Sequence, residues 1–158
     1  MVELDVTIGS KELYDYNLRH SYNSPAGLVG SCAGALFVVM AVLSQRRVFI
    51  AFGLIILLYL PVTLFLKSKQ QVMMNPSFKS PLHYLLNEEG LTISQGEASI
   101  QYQWDQMYKA VSTTESIILY TSPINATIFP REQAGDKLSS VIEMICTHMA
   151  PGKVRIRY

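Results

Sequence analysis

The chain is short of charge. Of its 158 residues only 16% are Asp, Glu, Lys or Arg, against about 25% in an average soluble domain. The 13 basic and 12 acidic residues nearly cancel, leaving a formal net charge of +1. That balance excludes an acidic solvating tail, and it lacks the basic field that nucleic-acid binding needs, so no nucleic-acid partner is expected. Two cysteines exclude a disulfide scaffold, and Cys32 and Cys146 fall in such different surroundings that neither a bridge nor CxxC redox chemistry is expected. Both read as small apolar fillers. His20, His83 and His148 are too scattered for metal ligation from one element. No GxSxG elbow, P-loop or GxGxxG occurs. No catalytic residue, metal site or cofactor is expected, and the chain does not read as an enzyme.

The missing charge is concentrated. Residues 26–43 and 48–66 contain no Asp, Glu, Lys, Arg or His, and at 1.5 Å per residue they would form helices of roughly 27 to 29 Å, close to the thickness of a hydrocarbon core. They are expected to be two transmembrane helices. Only Ser44, Gln45, Arg46 and Arg47 separate them, which predicts a tight antiparallel hairpin with both chain ends on one side. Lys11, Arg19, Lys67, Lys69 and Lys79 near that side outnumber Arg46 and Arg47 in the turn, so the expected location is the cytoplasmic (inner) membrane, multi-pass, with both termini cytoplasmic. The absence of ionisable groups inside the spans argues against a pump or an ion-coupled transporter. Ala26, Gly30 and Gly34 recur every four residues and are expected to let the second span approach closely, with homodimerisation as the alternative use of the stripe.

The rest of the chain alternates between strand and turn signals. Val2, Leu4, Val6 and Ile8 alternate with Glu3, Asp5 and Thr7, predicting a half-buried strand. Ser10 is placed to cap a short helix through about His20. Residues 67–79 read as a polar, partly helical linker. Beyond it, strands are predicted over 82–87, 91–94, 100–104, 107–111, 116–121 and 125–129. The turn at Glu88-Glu89-Gly90 is taken to require positive φ at the glycine. Asp136 can cap a helix over 137–149 whose Leu138, Val141, Ile142, Ile145 and Met149 form one apolar stripe. This pattern is an α+β domain: an antiparallel meander covered by a carboxy-terminal helix. The expected division is 1–25, 26–66, 67–79 and 80–158.

The order of elements, the hairpin around Glu89-Gly90, the Ile100-to-Trp104 strand leading to Tyr108 and Val111, the Ile117-to-Tyr120 strand and Ile128-Phe129-Pro130-Arg131 resemble the YcxB-like family of small bacterial membrane proteins. The resemblance implies a two-helix membrane hairpin ahead of a domain similar to pleckstrin-homology folds, a bent sheet closed by one helix. It implies no established activity and carries over no functional residue.

The function expected from these readings is a non-enzymatic, membrane-anchored domain that binds a protein partner or anionic lipid at the cytoplasmic face. The alternatives are a subunit or assembly factor of a larger membrane complex and a small membrane enzyme of unrecognised type. Candidate lipid-headgroup contacts are Lys67 and Lys69, beside the second span, and Lys153, Arg155 and Arg157, which alternate with Val154, Ile156 and Tyr158 at the end of the chain. The opposite charges of Glu3 and Asp5 suggest that residues 2–8 join the carboxy-terminal sheet, with residues 154–158 as a candidate neighbour.

Overall fold

The structure, a computed structural model, describes residues 1–157; Tyr158, the last residue of the expected terminal strand, lies outside them. The chain opens with strand β1 (Val2–Val6), in which Leu4 and Val6 are buried while Glu3 and Asp5 face outward. Helix α1 (Ser10–Tyr22) follows. Its N-cap is Gly9 rather than Ser10, because the Glu12 carboxylate reaches back to accept the Gly9 N–H at 3.0 Å and so takes over the capping role.

Two helices follow that are long and apolar enough to cross a membrane: α2 (Pro25–Ser44) and α3 (Val48–Met74). The Ser24 hydroxyl caps α2 by accepting the Gly27 N–H. Helix α3 does not stop where its apolar run ends at Leu66. It carries its polar continuation through Met74, so most of the expected linker is helix, and Asn75 and Pro76 end it.

The hairpin closes through glycines. A Cβ at Gly34 would lie 2.7 Å from Leu57 Cγ, and one at Gly53 would lie 2.7 Å from Val38 Cγ2 and 3.0 Å from the Gly34 carbonyl oxygen. The expected packing stripe is therefore only partly used. Gly34 sits at the contact, but a Cβ at Gly30 would meet nothing within 4 Å, and Ala26 is exposed. The close approach runs through Gly34 and Gly53, one from each helix, because the helices diverge toward the start of α2.

The remaining elements are β2 (Leu82–Leu86), β3 (Gly90–Gln95), β4 (Ala98–Gln103), β5 (Lys109–Ser112), β6 (Ser116–Tyr120), β7 (Ala126–Pro130), α4 (Arg131–Ala134), α5 (Leu138–His148) and β8 (Val154–Arg155). They form two four-stranded sheets, ordered β1-β2-β3-β4 and β7-β6-β5-β8, rather than one bent sheet. The strand before the hairpin thus completes the first sheet, antiparallel to β2, with Asp5 opposite His83 and paired to it at 2.8 Å. It does not lie beside the terminal strand. β8 instead runs parallel to β5, which makes the second sheet mixed.

Both sheets and α5 share one core, in which Tyr84 and Leu86 meet Ile117, Leu119 and Phe129 under Val141, Ile142 and Ile145. The Tyr84 and Phe129 rings pack edge to face with centroids 5.0 Å apart. Gly90 serves close approach rather than positive φ: a Cβ there would collide with the Tyr102 carbonyl oxygen across the β3–β4 ladder. The preceding turn is held by Asn87, whose side-chain oxygen accepts the Glu89 and Gly90 N–H groups at 3.0 Å. Asp136 is not a cap either. It lies in a 3-10 turn (Gly135–Lys137) that joins α4 to α5, and the chain is redirected at Gly135, where φ is +49°.

Candidate functional site

Helix α1 is polar in sequence yet has neighbours on two sides. Tyr16 packs on the outer face of the second sheet with Val111, Ile118 and Tyr120, and His20 stacks on Tyr120 with ring centroids 6.3 Å apart. On its other side Tyr14 meets Phe65 of α3 edge to face at 5.6 Å, and the Asn17 amide donates to the buried Ser68 hydroxyl at 2.9 Å. The helix therefore ties the double sheet to the apolar hairpin, and the residues near its end sit where the two meet.

Between the end of α1 and the second sheet lies a cleft of about 630 Å³ lined by Arg19 of α1, Ser112 of β5, Thr113, Thr114, Arg131 of α4, Arg155 of β8 and Arg157. Among the described residues its lining holds four arginines and three hydroxyl residues and no Asp or Glu. Backbone contacts fix its floor. Arg131 Nε donates to the Thr113 carbonyl at 3.3 Å, Nη2 donates to the Arg157 carbonyl at 3.4 Å, and the Arg157 N–H donates to Ser112 Oγ at 2.8 Å.

The nearest acids are otherwise engaged. Glu115 pairs with Lys11 at 2.6 Å, and Asp15 accepts the Thr113 hydroxyl. Burial raises the Asp15 carboxyl above its ordinary value, although that hydrogen bond and the Arg19 charge pull the other way. Among the described residues no side-chain ion pair involves any of the four arginines. Several arginines without carboxylate partners lining one cleft are the arrangement that recognises a phosphate or carboxylate by charge-assisted hydrogen bonds. Beside the cleft, Lys109 Nζ stands 4.6 Å from the Tyr120 ring centre, and burial pushes the Tyr120 phenol up to about 12, so it stays neutral there.

The structure divides the candidate contacts. Arg155 and Arg157 enter the cleft. Lys153 does not, since its Nζ donates to the Met107 and Asp105 carbonyls at 2.8 and 3.3 Å. Lys67 and Lys69 are exposed on α3, outside the cleft lining, with Lys69 over the Phe65 ring at 4.9 Å. Arg19 and Arg131 were not singled out as site residues. They lie on helices far apart in sequence, and only the docking of α1 on the second sheet brings them together.

A second recess, an apolar groove of about 650 Å³, separates α2 from α3 on the domain side of the Gly34–Leu57 contact, lined among others by Gly30, Ile56, Tyr59 and Leu60. The histidines play separate parts: His83 pairs with Asp5, His148 stacks on Trp104 at 5.5 Å and His20 on Tyr120. Among the described residues no cluster of His, Cys, Asp and Glu could hold a metal ion. Cys32 and Cys146 are both exposed, so neither fills a packed core.

No curated protein and no solved structure matches the chain. Residues 86–140, from the end of β2 into the start of α5, match the family model described as YcxB-like protein, and two apolar helices precede them; the chain carries a YcxB-like domain behind a two-helix hairpin.

Proposed function

We propose that the protein is a non-enzymatic, two-span protein of the cytoplasmic membrane whose cytoplasmic domain binds the phosphate of an anionic lipid headgroup in the four-arginine cleft. The observation that carries this reading is the cleft itself: Arg19, Arg131, Arg155 and Arg157 line one space with no Asp or Glu among its described lining residues, and Arg19 belongs to the helix that leads into the apolar hairpin. Arg46 and Arg47 in the hairpin turn are outnumbered by the basic residues at the domain end, which favours cytoplasmic termini. The domain would be similar to pleckstrin-homology folds, with one meander over β1 to β4, a second over β5 to β7, and α5 against the core.

The reading is tested on the full chain in detergent micelles by native mass spectrometry, titrating phosphatidylglycerol against phosphatidylcholine. Juxtaposed basic side chains near a membrane contribute about 1 kcal/mol each. Replacing both Arg155 and Arg157 by Ala should therefore weaken phosphatidylglycerol retention by about tenfold or more. Replacing Lys67 and Lys69 should change it much less. Equal retention of the two lipids, or indifference to the arginine substitutions, would reject the proposal.

A second reading, docking of a protein partner, is favoured by β4. It is an outer strand of the first sheet, exposed along most of its length, and Ile100 is 57% exposed. Such an edge offers unpaired backbone groups to an added strand. A stoichiometric protein co-purifying in mild detergent and lost on Ile100→Lys would favour it.

A further inference from the structure

The headgroup cleft and the apolar groove are adjacent, and together they describe one ligand. Tyr22 lines the groove, and it also lines a shallow depression with Asp15, Arg19, Thr113 and Thr114, the last three of which are residues of the arginine cleft, while the Asp15 carboxylate is held by the Thr113 hydroxyl. Arg19 and Tyr22 are one turn apart on α1, about 5 Å along its axis. A path therefore runs from the guanidinium groups past Tyr22 and down between α2 and α3.

The groove is not closed by the chain's own side chains. At Gly34 the helices touch, but four residues earlier the side of Gly30 faces open space, and the groove volume of about 650 Å³ lies there. Its apolar lining includes Ile56, Leu57 and Leu60 of α3, while Ser21 and Ser24 lie on the chain between Arg19 and the start of α2. An occupant suited to the whole path is anionic at one end and a hydrocarbon for the rest. Inorganic phosphate would fill only the cleft, and a neutral hydrocarbon only the groove.

We infer that a single anionic phospholipid is held at both ends, its phosphate by the arginine cleft and one acyl chain in the α2–α3 groove past Gly30. This rests on the headgroup reading above and adds the acyl-chain site to it. Binding then discriminates by chain as well as by charge.

The test uses the full chain in detergent with two probes, long-chain phosphatidylglycerol and water-soluble glycerol 3-phosphate. Gly30→Leu puts a side chain into the open groove, where its Cβ meets nothing within 4 Å, so the fold should persist. It should weaken phosphatidylglycerol binding at least fivefold and leave glycerol 3-phosphate binding unchanged. Arg155→Ala should weaken both. Loss with Arg155→Ala but none with Gly30→Leu would overturn the acyl-chain site while leaving the headgroup reading intact; indifference to both substitutions would reject the headgroup reading as well. A measurement on the unmodified protein guards against a folding defect. Phosphatidylglycerol carrying a diazirine in mid-chain should label the groove-lining Ile56 or Leu60, which are only partly exposed. Labelling confined to the outward-facing Leu36, Val39 or Leu58 would overturn the inference.

Discussion

The double-sheet domain and the α2–α3 hairpin bury apolar side chains by different means. In the domain Leu86, Leu91, Ile117 and Phe129 have no exposed surface, and their cover comes from the chain itself. In the hairpin Val42, Leu43 and Tyr59 are 73%, 80% and 68% exposed. The difference is one of solvent. A hydrophobic core in water needs a closed interior, whereas helices with all backbone groups internally bonded can leave their apolar surfaces to a surrounding hydrocarbon. The proposed membrane supplies the cover that the chain does not. Helix α1 belongs to both regimes, with aromatic contacts to β6 on one side and to α3 on the other.

The sharpest way to separate the two regions is to damage one and watch the other. Phe129 is fully buried against Tyr84, and Phe129→Ala removes a large side chain from a closed core, which costs about 3 to 5 kcal/mol. That is a large fraction of the stability of a small domain. Limited proteolysis should show the domain cut rapidly while the segment containing α2 and α3 stays protected in micelles. Loss of protection in both segments at once would show that the hairpin depends on the domain for its fold.

The same contrast explains what could be read from the sequence. Alternation along β1 and the apolar stripe of α5 were legible, because burial on one side of an element imposes its period on consecutive residues. The two apolar helices were legible from composition alone. Partners of strands were not: Glu3 and Asp5 announce a polar face but do not say that β2 lies beside it. The role of Gly90 is hidden because a glycine after two glutamates satisfies a turn rule equally well, while the neighbouring Tyr102 carbonyl that excludes a Cβ is a tertiary fact. Half of the cleft was legible for a similar reason. Arg155 and Arg157 stand out by local alternation, but Arg19 and Arg131 carry no local signal that they meet.

Inside the hairpin, the glycines sharpen the comparison at a smaller scale. Gly53→Leu must displace Val38 and press on the Gly34 backbone, an overpacking that costs about 1 to 3 kcal/mol. A Cβ at Gly30 meets nothing within 4 Å, and Gly30→Leu should change hairpin stability by no more than about 0.5 kcal/mol, as for other substitutions away from packed contacts. Thermal unfolding in detergent, followed by helix content, ranks the two. A larger loss for Gly30→Leu would show that the groove closes in solution and that the stripe from Ala26 to Gly34 packs along its whole length.

The smallest expected effect concerns the joint between the two regions. Asp15 on α1 is half-buried against the second sheet, and burial raises its carboxyl above the ordinary 3.8. The folded state therefore holds this proton more tightly than the unfolded state does. The resulting stabilisation is complete below the unfolded value and is lost as pH rises through the higher folded value, so at neutral pH the charged carboxylate works against the docking of α1. Asp15→Asn removes the charge and keeps an oxygen that can accept the Thr113 hydroxyl. Because the group is about half exposed, solvent screening limits the gain at pH 7 to about 0.5 kcal/mol or less. The difference between variant and parent should shrink toward pH 3, where Asp15 is protonated in both states. Thermal unfolding across that range reads the sign directly. If Asp15→Asn instead lowers stability at pH 7 and not at pH 3, the attraction to Arg19 outweighs burial, and Asp15 becomes a competitor for the arginine cleft rather than a passive contact of α1.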